Sequence, residues 1–174
     1  NYIYSVFSGH FAGPSKSGGM SVFYKNKKDE RKEEAIMENL VKIAEGVLTS
    51  CLAVKPGEEI LVITDDSRKE IGEAIYEAAG NLGCEKILMV MKEREVSGQE
   101  PPKAIAEAMK AADVVIAPTA QSLTHTNARI EAAKAGTRVA TMPGITKEMF
   151  SQGAMTADYS KVEELTAKVT EMLT

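Results

Sequence analysis

Val54-Lys-Pro-Gly-Glu-Glu-Ile-Leu-Val-Ile-Thr-Asp-Asp-Ser-Arg-Lys-Glu-Ile-Gly72 decides the fold. A Pro56-Gly57 turn feeds the apolar, β-branched run Ile60 to Ile63, which reads as a buried parallel strand. The run ends in Thr64-Asp65-Asp66-Ser67, and Ser67 with Glu70 has the spacing of a capping box that starts a helix. This first strand-to-helix turn carries two carboxylates where a dinucleotide-binding turn carries glycines. A phosphate would meet negative charge there, not free backbone N–H groups.

The unit repeats. Ile87 to Met91, Val114 to Ala117 and Val139 to Met142 are further apolar runs of strand length. Pro101-Pro102 open a helix through Ala104, Ala108 and Ala111, and a polar loop leads to a helix over Ala128 to Ala135. Gly83 and Gly136 follow helix ends, where a left-handed residue is required. Strands alternating with short helices predict an α/β fold: a doubly wound, Rossmann-like, mostly parallel sheet of at least four strands with flanking helices. The expected strand order is 2-1-3-4, which covers both faces of the sheet.

Two more helices flank this core. Ile36, Leu40, Ala44, Val47 and Cys51 form one face of a helix from Glu33 to Cys51. Ser160 with Glu163 reads as a second capping box, ahead of a stripe of Val162, Leu165, Val169 and Met172 expected to pack on the sheet.

A chain of 174 residues, 44% hydrophobic and 26% charged, fits a single core over 33–174. Residues 1–32 are of different composition, rich in Gly, Ser and aromatics and then in lysine. They read as a flexible extension or an expression-derived tail, with Met20 or Met37 as candidate natural starts. The tail carries net +4, which leaves −8 on the remainder. That acidity excludes nucleic acid as a partner of the globular part. No apolar run reaches the roughly 18 residues of a membrane span, and no basic head with an apolar stretch marks a signal peptide. Cys51 and Cys84 lack metal-type spacing and suit reduced thiols in a cytoplasmic protein.

Most chemical constellations fail on inspection. Gly9 to Ser17 lacks the Gly-Lys-Ser/Thr adjacency of a P-loop, and no nucleophile elbow or zinc-binding helix is present. His10 and His125 are the only histidines, so a complete metal cage has too few ligands. The loop Pro118 to Arg129 is richer, with Thr119, Ser122, Thr124, Thr126, His125 and Arg129. In a doubly wound sheet it would face Asp65-Asp66 at the point where strand order reverses, the usual ligand crevice. Asp65, Asp66, Ser122, His125 and Arg129 are therefore the candidate substrate-binding residues, the aspartates for an amine and Arg129 for a carboxylate. The local alternative is that these side chains cap helices and satisfy backbone N–H groups.

Val54-Lys55-Pro56-Gly57-Glu58-Glu59 leading into Val62-Ile63-Thr64-Asp65-Asp66-Ser67 resembles the N-terminal domain of the aminopeptidase T family of thermophilic metallopeptidases, which includes leucyl aminopeptidases. Val96 to Pro102, Ser122 to Thr126 and Thr141 to Thr146 support the resemblance, which covers about residues 38–174. It implies a two-domain enzyme that removes N-terminal residues from peptides with two divalent metal ions (zinc, cobalt or magnesium). The metal ligands of that family lie in the C-terminal domain, so no catalytic or metal-binding residue and no cofactor is assigned to this chain. The expectation is a non-catalytic N-terminal domain whose partner is a peptide substrate reached through the full-length enzyme. Homodimerisation is left open. The alternative is a free-standing module that binds a charged small molecule and has no peptidase activity.

Overall fold

The computed structural model describes residues 27–173. The expectation of a flexible tail falls largely on residues 1–26, outside the described residues. The strands are β1 (Glu59–Asp65), β2 (Glu85–Met91), β3 (Val114–Thr119) and β4 (Arg138–Pro143), all parallel and paired in the order β2-β1-β3-β4. The helices are α1 (Lys27–Ser50), α2 (Lys69–Asn81), α3 (Lys103–Ala111), α4 (Asn127–Lys134), α5 (Lys147–Ser151) and α6 (Tyr159–Leu173). Both the α/β class and the strand order match the sequence reading.

Alternation along β1 explains the two layers. Ile60 and Val62 point to one face and join α1, α2 and α5 through Leu40, Leu48, Ile71, Ile75 and Phe150. Leu61 and Ile63 point to the other and join α3 and α4 through Ile105, Met109, Leu123 and Ala132. Because β1 and β3 are central and covered twice, all of their apolar side chains are buried. The edge strand β2 is covered less fully, and Ile87 and Val90 remain 43% exposed.

Close packing of α2 on β1 depends on Gly72. A Cβ there would lie 2.8 Å from Thr64 Cβ and Cγ2, and Thr64 is itself fully buried. After α2, Gly83 takes φ +75° while the N–H of Cys84 donates to Ala79 O, which closes the helix and aims the chain into β2.

At the amino ends of the strands, Asp113 accepts from Glu59 N at 2.9 Å, and Arg138 reaches across to the α1–β1 connection. Its guanidinium donates to Leu52 O and Ala53 O and pairs with Glu58 Oε2 at 2.6 Å. Ala53 is held at φ +47°, a conformation that costs an L-residue roughly 1–2 kcal/mol. The arginine hydrogen bonds offset that strain.

Three expectations are corrected. First, α1 begins at Lys27, six residues before Glu33; Asp29 and Glu30 sit in its first turn, where carboxylates favour the helix dipole. Ile36 (43%) and Cys51 are exposed, so only the middle of the expected stripe is buried. Secondly, Ser67 does not cap α2, whose first turn receives no side-chain cap. Thirdly, α6 buries no residue: Val162, Leu165, Val169 and Met172 are all exposed. Both faces of the four-stranded sheet are already taken by α1 to α5. The start of α6 is capped by Asp158, which accepts from Ser160 Oγ and Lys161 N, so Ser160–Glu163 is not the capping pair.

Two substitutions test these contacts by thermal unfolding. Gly72→Ala should destabilise the domain by about 1–3 kcal/mol, since the methyl overpacks against backbone-fixed Thr64. Arg138 holds the Glu58 carboxyl below its ordinary value of 4.5. A lowered carboxylate contributes stability above its unfolded pKa and loses it as pH falls through the folded one. Glu58→Gln should therefore lower Tm at pH 7, and the difference should vanish under acid conditions.

Candidate functional site

The candidate site is the rim of loops at the carboxyl ends of the strands, centred where β1 and β3 diverge to opposite neighbours. Asp65 ends β1 and is 1% exposed. Its Oδ1 accepts from Ser67 Oγ at 2.8 Å and Arg68 N at 3.1 Å, and its Oδ2 accepts from Ala120 N at 2.6 Å. The carboxylate thus shapes its own turn and ties it to the β3–α4 loop. A buried carboxylate with both oxygens engaged is a structural clamp. Asp66, by contrast, is exposed.

The rest of the rim is joined in the same manner. The loop after β2 meets the loop after β3: Gly98 N donates to Ser122 O, Ser97 Oγ donates to Gln121 Oε1, and Ser122 N donates to Ser97 Oγ. Glu100 then places both carboxylate oxygens on the start of α4, accepting from Asn127 N at 2.6 Å and Ala128 N at 3.1 Å. Thr126 is the N-cap of α4, accepting from Arg129 N. Thr124 is not a cap; its hydroxyl lies 2.8 Å from that of Thr141 on β4 and 2.9 Å from Ser122 Oγ. Gly144 N donates to Thr119 O, bringing in the loop after β4.

The sequence-derived residues therefore divide. Asp65 and Ser122 are bonded into the rim. His125 is exposed and makes no side-chain hydrogen bond among the described residues, and Arg129 is half-buried with only its backbone N–H engaged. Asp65 and the 118–129 loop face each other as expected, but through a hydrogen bond that fills the crevice between them. Sequence reasoning missed Glu100, because a cap supplied from 27 residues away leaves no local pattern. Thr126 had a local signal, a β-hydroxyl residue directly before a helical run.

Beside this rim lies a cavity of about 200 Å³ between Ser67, Arg68, Glu70 and Ile71 on one side and Thr146, Lys147 and Glu148 on the other. Its charges balance: Lys147 pairs with Glu70 at 2.6 Å, which raises the lysine pKa, and hydrogen bonds from its own backbone N–H and from the Thr146 hydroxyl hold Glu148 below its ordinary value. The volume is below the roughly 300–1,000 Å³ of ordinary small-molecule sites. Among the described residues, no group of three or more His, Cys, Asp or Glu could hold a metal ion. The described residues do not fit a metal, and no chemical step is assigned to one. Nor is any described helix long and apolar enough to cross a membrane.

The clamp and the distant cap can be tested separately. Asp65→Ala removes three accepted hydrogen bonds and strands the Ala120 N–H, at an expected cost of about 2–4 kcal/mol by denaturant unfolding. Glu100→Ala should cost about 0.5–2 kcal/mol, as for a lost helix cap, and Ser67→Ala less than either.

The chain has no match among curated protein sequences. It is similar in structure to the 2,5-dihydroxypyridine dioxygenase from Pseudomonas putida KT2440, with 20% identity and a TM-score of 0.52 over 60% of this chain and 33% of that one. Wild-type AmpT from Thermus thermophilus matches with 16% identity and a TM-score of 0.40, over 61% of this chain and 36% of that one. The chain thus spans about a third of the length of these solved structures. The first likeness carries the fold. The family described as NicX, 2,5-dihydroxypyridine 5,6-dioxygenase, matches residues 39–173. That match covers α1 from its middle, the whole sheet and α6, and on it the chain belongs to the NicX family.

Proposed function

We propose that this chain is a non-catalytic α/β domain of a larger metal-dependent enzyme, where it forms one wall of the substrate cavity and positions the catalytic part. The observation that carries the reading is the hydrogen-bonded rim. Four loops that in many doubly wound enzymes hold ligands are here joined to one another, through Asp65–Ala120, Ser97–Ser122, Glu100–α4 and Thr124–Thr141. A rim so satisfied offers a rigid surface and few free groups for chemistry. The family name supports oxygenation of a hydroxylated pyridine as the parent reaction.

A second reading of the parent chemistry keeps the metal-dependent aminopeptidase. It rests on the four aminopeptidase T-like stretches, 54–67, 96–102, 122–126 and 141–146. All four contribute to the same rim: Ser97 meets Ser122, and Thr124 meets Thr141. In either parent, the exposed Asp66 and His125, with Arg129, are the rim groups able to touch a charged substrate. The alternative of a free-standing binding module would use the same three side chains.

The test is direct. The purified chain, supplied with iron(II), zinc, cobalt or magnesium, should neither consume oxygen with 2,5-dihydroxypyridine nor release leucine from leucyl-p-nitroanilide. Chelator-sensitive turnover of either substrate would overturn the non-catalytic reading. In a longer parent enzyme, His125→Ala should raise KM with kcat nearly constant, the signature of uniform binding. A fall in kcat of about a hundredfold, the scale of a lost transition-state contact, would place this rim in the chemistry.

A further inference from the structure

We draw no further inference here: the strongest candidate, the cavity of about 200 Å³ where the start of α2 faces Thr146, Lys147 and Glu148, rests on a helix N-terminus alone, since Arg68 Nε, which has no hydrogen-bond partner among the described residues, exposes almost no surface to an occupant and Lys147 is already paired with Glu70.

Discussion

A carboxylate taken out of water must find donors for its oxygens, and Asp65 finds three. Two lie in its own turn, which fixes how the chain leaves β1 and enters α2. The third is the N–H of Ala120, 55 positions further along the chain, and it fixes the loop that leaves β3. One buried side chain thereby sets the distance between the two central strands at the end where their connections part. Replacing glycines by an aspartate at this turn turns a place for a phosphate into a joint between loops.

The remainder of the rim extends this joint outward with neutral and charge-assisted hydrogen bonds. Glu100 brings the long loop after β2 onto the N-terminal end of α4, where its charge meets the positive end of the helix dipole as well as two N–H donors. Thr124 and Thr141 carry the connection to β4. At the amino ends of the strands Arg138 performs a similar task for the α1–β1 connection, but there through two carbonyls and the half-buried Glu58. Both ends of the sheet are fixed by polar contacts, and the space between is apolar on both faces.

The parts of this architecture that were legible in sequence are those governed by local rules. Ile60 to Ile63 and Val114 to Ala117 read as strands because β-branched runs buried on both faces have no polar alternation. Gly83 and Gly136 read as helix ends because a left-handed residue needs glycine, and both take positive φ. Ser67 misled because the Ser-x-x-Glu pattern has a competitor two residues earlier: Asp65 takes the Ser67 hydroxyl as a donor, while Glu70 turns to Lys147. Glu100 and Arg138 were silent because their partners are fixed by the topology, not by spacing. The candidate binding residues divided on the same principle. Asp65 was correctly placed at the switch point, yet burial makes it part of the framework, whereas His125 is exposed and outside the hydrogen-bonded rim.

Helix α6 shows what an amphipathic pattern does and does not specify. Periodicity establishes that one face is apolar; it says nothing of which surface meets it. In α2 the same kind of stripe is buried, since Ile71, Ala74, Ile75 and Ala78 follow a strand directly and fall back onto it. In α6 the stripe comes after α5 and a 3-10 turn (Gly153–Thr156), when both faces of the sheet are already covered. The sheet has two faces, and five helices suffice for them. A sixth amphipathic helix is therefore surplus to the core that the described residues build, and none of them covers its apolar face.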